Sequence, residues 1–466
     1  MSTESSAYIA AARPRFAADL ATFVRFASVG VDPRRRKDVA ACARWLAGRL
    51  RRAGLCDATL ARTAGHPIVH GSWRGAPGAP TVLVYGHYDV QPAEPLEAWR
   101  TRPFEPALQG DDLVGRGSCD DKGPVLCHVA AIESHLATSG RLPANVVCVF
   151  EGEEEHGSPH LPEFLRAHRR WLAPDVAVIS DTRMRGPGRP AIIEGTRGAV
   201  SFEVELSRSG EELHAGQFGG AVANPLEALC ALVGRLHDAR GRIAVPGLYD
   251  RVRPVGAHER ARLAREAPSD AELLRAGATD DPGGEAGFSA YERTTLRPAL
   301  TVTGLSGGYT GPGAQSAVPA RAQARLNLRL VPEQDPLQTR RLVCARLRDL
   351  APARLGLVVR AGPGSCATTI DRGHPAMRAA ERALSDAFER EPVFLRSGGT
   401  IAIVDVLQRL FGIPVVLMGF ALPGDGMHAP NESVNLPTLQ RGTIACARFL
   451  ELVAAGAAVA RHEAVV

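Results

Sequence analysis

Two hydrophobic periods divide this chain. Residues 7–27 and 37–53 repeat at helical spacing, the second with Trp45, Leu46 and Leu50 on one face. PTVLVYGHYDV is a valine-rich apolar run of strand length. GPVLCHVAAIESHLA reads as a helix opened by Gly123-Pro124, since proline is tolerated in a first turn. The strand NVVCVF, the helix SPHLPEFLRAHRRWL and the strand VAVIS follow. Strand, helix, strand, helix, strand predicts an α/β fold on a mostly parallel sheet.

Near residue 197 the period changes. GAVSFEVELS alternates apolar and polar residues, as in a sheet with one wet face. NPLEALCALVGRLHDA is amphipathic at helical spacing, residues 250–295 are polar and irregular, PALTVTGL and ARAQARLNLRLV alternate again, and DPLQTRRLVCARLRDL is a second helix. These elements predict a separate α+β domain over residues 197–365. From HPAMRAAERALSDAF onward the helix–strand alternation returns, with IPVVLMGF as another buried strand. The expected organisation is a catalytic domain in two parts, 1–196 and 366–466, interrupted by an inserted domain.

Composition narrows the function. At 466 residues the chain exceeds one ordinary core. All but two of its 55 basic residues are arginines, the exceptions being Lys37 and Lys122. They are scattered among acids, net charge is only +5 and aromatics are 5%, so no nucleic-acid partner is expected. The nine cysteines include no CxxC pair, which in a chain this long points to reduced thiols and a cytoplasmic setting. The first residues lack the pattern of a signal peptide, and no run of about 18 apolar residues predicts a membrane helix.

The chemistry gathers at strand ends. EGEEEHGSPHL places four glutamates directly behind a core strand. His87 and Asp89 follow TVLVY, Asp120 and Asp121 precede a helix, Asp181 ends VAVIS, and His428 follows IPVVLMGF. Each alone has an ordinary reading as a cap, a turn former or a solvated charge. In an open α/β sheet, however, ligands bind beyond the carboxyl ends of the strands. Five acidic or imidazole clusters at such ends can converge, and their donors suit a divalent zinc or manganese site.

The arrangement resembles the M20 family of co-catalytic metallopeptidases, and within it the carnosinase-like cytosolic dipeptidases. The resemblance spans nearly the whole chain through YGHYDVQP, GRGSCDDKGP, EGEEEHGS, ISDTR, ELHAGQFGG, RLVP, RSGGTI and GDGMHAPNE, all in the family's order. It implies two divalent ions per subunit, zinc first, with manganese or cobalt as alternatives. His87 and Asp181 would hold one, Glu155 and His428 the other, and Asp120 both. Asp89 would orient the His87 ring. The family pattern Glu-Glu-x-Gly-Ser falls on residues 154–158, so Glu154 would be the general base, and Glu153, often apolar in the family, is expected to be solvated. His214 would stabilise the oxyanion, reaching across a homodimer formed by the inserted domain. Arg329 would bind the substrate carboxylate, with Arg396, Gly398, Gly399 and Thr400 lining the substrate and Asn224 in support.

The implied reaction is hydrolysis of the amide bond of a small peptide by a water activated between two ions. An N-acyl- or N-carbamoyl-amino-acid amidohydrolase on the same scaffold is the alternative, and a non-catalytic binding protein is a third reading. GLSGG matches the nucleophile pattern G-x-S-x-G at Ser306, but YTGPGAQSAVP cannot open the helix that motif requires. Neither lysine follows a glycine, which excludes a P-loop.

Overall fold

The computed structural model of the protein describes residues 3–280 and 283–463. In chain order the principal elements begin with helices α1 (Thr3–Val24) and α2 (Arg36–Arg52) and strands β1 (Thr59–Ala61), β2 (Ile68–Trp73) and β3 (Thr81–His87). Then come helix α3 (Gly123–Ser139), strand β4 (Asn145–Glu151), helix α4 (Leu161–Ala167) and strands β5 (Val176–Ile179) and β6 (Ala191–Thr196). Next are strand β7 (Gly198–Ser207), helix α5 (Pro225–Gly234), strands β8 (Ala299–Gly307) and β9 (Arg321–Leu330), helix α6 (Pro336–Leu350) and strand β10 (Gly356–Ser365). The chain closes with helix α7 (Pro375–Phe388), strands β11 (Val393–Ser397) and β12 (Val415–Leu417) and helix α8 (Leu436–Glu463).

The chain divides into two compact units. The first comprises Met1–Glu194, Ile370–Leu395 and Val406–Val466. Its sheet runs β1-β2-β4-β3-β5-β12-β6, with β11 also paired to β6. The pairs β4/β3, β3/β5 and β5/β12 are parallel, whereas β1/β2, β2/β4 and β12/β6 are antiparallel. The sheet is therefore mixed, and parallel only at its centre. Every residue of β3 and β5 is buried, which is why these strands read as unbroken apolar runs. Each fully buried valine, leucine or isoleucine there contributes roughly 1.5–3 kcal/mol relative to exposure.

The second unit comprises Gly195–Thr369 and Arg396–Asp405. Its antiparallel sheet runs β8-β9-β7-β10. Burial along β7 and β9 alternates strictly, and the inward residues Val200, Phe202, Val204, Leu206, Leu326 and Leu328 pack with Leu229 and Leu232 of α5 and Val343 and Leu347 of α6. Asn224 and Asp335 cap the two helices by accepting the N–H groups of Leu226 and Gln338.

Three expectations need correction. The stretch 250–295 is not irregular: helices span Ala257–Glu266, Asp270–Ala276 and Ala290–Thr295. Ser269 with Glu272 and Ser289 with Glu292 form capping boxes, a local signal that overall polarity obscured. The helix behind the glutamate run is two short ones, Leu161–Ala167 and Arg169–Leu172. Finally, Arg396–Asp405 joins the second unit rather than the closing catalytic segment.

Candidate active site

The first unit delivers its chemistry from strand ends and the loops behind them. β3 ends on the fully buried His87. Asp120 lies in the turn that leads into α3, joined to Asp121 by a cis peptide. Glu154 and Glu155 form a single 3₁₀ turn shortly after β4. Asp181 lies just past β5, and His428 in the loop beyond β12. His428 has φ of 65°, a left-handed conformation that its surroundings must impose on a non-glycine residue.

These side chains converge on two triads that share Asp120. The ligand atoms of His87, Asp120 and Asp181 lie within 4.8 Å of one another, as do those of Asp120, Glu155 and His428. His87 Nε2 stands 3.0 Å from Asp120 Oδ1 and 3.7 Å from Asp181 Oδ2. His428 Nε2 stands 2.8 Å from Asp120 Oδ2 and 3.3 Å from Glu155 Oε2. The two oxygens of Asp120 thus face different histidines.

The donor set fits a pair of divalent cations. His87 Nε2 is buried and lacks a hydrogen-bond partner among the described residues, although two carboxylates stand close by. Imidazole nitrogens and carboxylate oxygens are the ligand types of zinc and manganese. The electrostatics agree with a need for cations. Burial pushes the Glu154 carboxyl well above its ordinary range, and the neighbouring acids add to it. Burial also works to raise Asp120, but His428 and His87 outweigh it and hold that carboxyl low. Asp120 and Glu155 in turn raise His428 to about 10.

Asp89 organises this cluster from beside it. Asp89 Oδ1 accepts the N–H of Glu154 and Oδ2 that of Glu155, both at 3.2 Å. His87 Nδ1 is 3.1 Å from the main-chain oxygen of Asp89 and 3.4 Å from its carboxylate. A proton on Nδ1 directed there leaves Nε2 as the lone-pair nitrogen facing the carboxylates.

Glu153 is not solvated. It is 5% exposed, and its Oε2 lies 2.8 Å from His160 Nδ1. A Cβ at Gly65 would fall 1.9 Å from Glu153 Oε1, so only a glycine leaves room for this carboxylate. A second histidine, His156, stands three residues downstream with Nε2 3.6 Å from Glu153 Oε1. Other contributors also went unrecognised in the sequence. Glu151 is buried and accepts the hydroxyls of Tyr85 and Ser158. Gln91 Nε2 donates to Glu155 Oε2 at 2.7 Å. Arg116 and Glu432 form a buried ion pair at 2.8 Å. The last two lie inside GRGSCDDKG and GDGMHAPNE, but nothing in their residue types marks them.

The remaining expected residues belong to the second unit. Arg329 is half-buried and donates to Thr400 Oγ1 at 2.6 Å. A Cβ at Gly398 would meet the Thr294 carbonyl oxygen at 2.4 Å, so backbone passes close there, while Gly399 donates its N–H to Ser397 Oγ. Arg396 reaches Glu259 at 3.4 Å. His214 is exposed on a two-residue strand, opposite Ala317. Asn224 is engaged as a helix cap, with its Nδ2 on Glu227. Ser306 lies within strand β8 and opens no helix.

Residues 83–452 match the family model described as Peptidase family M20/M25/M40. The chain belongs to this peptidase family. It is accordingly a hydrolase of the metallopeptidase class. Among the family's members, it is 30% identical over 455 residues to a Cys-Gly metallodipeptidase, DUG1, of Candida albicans, covering 92% of this chain and 93% of that protein. It is 32% identical over 396 residues to the Beta-Ala-His dipeptidase of Homo sapiens, covering 83% of this chain and 77% of that one. In structure it resembles the dipeptidase Dug1p of Saccharomyces cerevisiae with a TM-score of 0.86 at 26% identity, over 97% of this chain and 98% of the other. Human carnosine dipeptidase 1 superimposes with a TM-score of 0.85 at 29% identity, over the same shares. An amidase of the hydantoinase/carbamoylase family from Burkholderia phymatum reaches 0.54 at 15% identity, over 96% of this chain and 98% of its own, which shows a shared fold and no more. No helix among the described residues is long and apolar enough to cross a membrane.

Proposed function

We propose that this chain is a two-metal dipeptidase that hydrolyses the amide bond of dipeptides or short peptides. The observation that carries the reading is the pair of triads sharing Asp120. Relatives named as Cys-Gly and Beta-Ala-His dipeptidases support the substrate class and weigh against the amidohydrolase alternative. We take zinc as the ion, with manganese or cobalt able to substitute.

His87, Asp120 and Asp181 would hold one ion, and Asp120, Glu155 and His428 the other. Two such ions supply Lewis acidity toward the scissile carbonyl and toward a water in the site. Glu154 takes the proton of the attacking water and delivers it to the leaving amine. The water oxygen bonds to the carbonyl carbon as the C=O π pair moves onto its oxygen, and when that oxyanion collapses the C–N bond breaks and the amine leaves carrying the proton. The hydrogen bonds from the Glu154 and Glu155 N–H groups to Asp89 fix base and ligand in one turn. His214 donates to the oxyanion. Arg329, held by Thr400, takes the substrate carboxylate, and Gly398, Gly399 and Arg396 line the substrate. Asn224, held as the cap of α5, supports the substrate site from the second unit.

The second unit serves as the dimerisation surface. Strand β8 lies at a sheet edge, and it exposes Val302 (41%) and Leu305 (51%). Such an edge invites pairing with a second copy across a twofold axis. None of the nine cysteines, all among the described residues, is in a disulfide, which suits a reducing, cytoplasmic compartment.

The reading is tested by stripping the purified protein with chelator, restoring Zn2+, Mn2+ or Co2+, and screening dipeptides, acyl-amino acids and carbamoyl-amino acids. Metal-dependent release of free amino acids from dipeptides is expected. Turnover of acyl- or carbamoyl-amino acids alone would replace the dipeptidase reading.

A further inference from the structure

Arg116 and Glu432 lie outside the ligand set, yet they touch the segments that carry one triad. Glu432 Oε2 accepts Arg116 Nη1 and the N–H of Gly117, each at 2.8 Å. Glu432 Oε1 accepts the N–H groups of Cys119 at 3.0 Å and Asp120 at 3.2 Å. Arg116 Nη2 donates to the carbonyls of Pro92 at 3.1 Å and His428 at 3.3 Å. Pro92 directly follows Gln91, whose amide is on Glu155. One ion pair therefore holds the backbone of Asp120, the backbone of His428 and the residue beside the partner of Glu155.

The other triad is anchored differently. His87 and Asp181 emerge from β3 and β5, which are locked to each other by a parallel ladder from Val82↔Val176 to Tyr85↔Ile179. Among the described residues, no hydrogen bond links Arg116 or Glu432 to either of those residues. Stability alone does not account for such a pair. Both side chains are fully buried, and a buried ion pair is often no more stabilising than apolar groups of similar volume. Its yield lies in what it orients. The left-handed backbone at His428 needs an external constraint, and the Arg116 hydrogen bond to its carbonyl is one.

We propose that Arg116 and Glu432 are positioning residues that set the affinity of the ion held by Asp120, Glu155 and His428 separately from that of the ion held by His87, Asp120 and Asp181. This rests on the two-metal reading above. The pair shapes two of three ligands in one triad and, through Asp120, only one of three in the other, so its loss falls unevenly on the two ions.

The experiment is a Co2+ titration of the chelator-stripped full-length protein, followed by calorimetry and visible absorption. Wild type takes up two ions. Glu432→Gln weakens one of them by about 10–100-fold, the usual scale for an outer-shell partner, and leaves the other within a few-fold. Reference variants assign the affected ion. In an Asp181→Asn background, Glu432→Gln weakens the remaining ion, whereas in a His428→Asn background it leaves the remaining ion nearly unchanged. Should Glu432→Gln fail to fold, Arg116→Lys keeps the buried charge and loses the planar fork, and must show the same selectivity. Equal weakening of both ions, or no weakening of either, overturns the proposal. A wild-type protein that takes up no ion overturns the two-metal reading itself.

Discussion

Asp89 accepts the backbone N–H of Glu154 at 3.2 Å through one carboxylate oxygen. Its other oxygen takes the N–H of Glu155 at the same distance. Glu154, the proposed base, and Glu155 are therefore fixed as a unit, and only Glu155 belongs to a triad. Glu154→Gln should retain both ions and lose turnover by about 10²–10⁴-fold, the scale of a missing general base. Glu155→Gln should weaken metal uptake itself, because a ligand's charge holds the ion. Elemental analysis beside kcat separates the two. Metal loss confined to Glu154→Gln would mean the assignment is one residue out of register.

The Glu153–His160 pair is expected to hold the glutamate turn in place. Its carboxylate is buried, and removing His160 leaves Oε2 without its hydrogen bond, with only His156 Nε2 at 3.6 Å from Oε1. His160→Ala should destabilise the protein by about 1–3 kcal/mol. Gly65→Ala should do so as well, by forcing the Glu153 carboxylate out of its site. Because both act on one carboxylate, the double variant Gly65→Ala/Glu153→Ala should be less destabilised than the sum of its parts. Strict additivity in urea denaturation would show that the pair does not couple to Gly65.

How much of this was legible depends on the range of each interaction. The buried central strands declare themselves because every residue of β3 and β5 is buried and most are apolar. His87 ends β3 and Asp181 follows β5, while Glu155 and His428 follow β4 and β12 and Asp120 precedes α3, so strand pattern pointed to the clusters and the family resemblance chose the individual residues within them. Contacts between distant segments were not legible. Glu432 meets Cys119 from 313 positions away. Glu153 looked like one more solvated acid because Gly65, which closes over it, lies on a distant segment, although His156 and His160 follow it closely in sequence. Two of the three helices within 250–295 were locally encoded by capping boxes, but the polar residues between the caps hid the period.

His128 should make the protein acid-sensitive. It is buried in α3 with Nε2 on Ser180 Oγ at 2.8 Å, and burial lowers its pKa from the ordinary 6.5 to about 3. Between those two values the unfolded chain binds a proton that the folded chain does not. This contribution to stability is therefore whole above about 6.5 and is lost progressively as pH falls toward 3. By pH 5 about 2 kcal/mol of it has been lost. His128→Gln keeps a polar group near Ser180 and should flatten the decline in denaturation midpoint between pH 7.5 and 5. An unchanged slope would place the acid sensitivity elsewhere, in the buried carboxylates.

The last prediction concerns assembly. The second unit holds His214 but no member of either triad. If it dimerises through the open edge of β8, His214 can complete the partner's site, and two dead chains can make one live site between them. One variant carries Asp120→Ala with His214 intact, and the other carries His214→Ala with both triads intact. Each homodimer is inactive. In a heterodimer, the triads of the second chain meet the histidine of the first, and one of the two sites is whole. An equimolar, fully exchanged mixture holds about half heterodimers, so it should recover about a quarter of wild-type activity by twofold symmetry. Recovery should follow subunit exchange, measured with differently tagged chains and size-exclusion chromatography. A verified heterodimer without activity would mean that His214 serves its own chain or none.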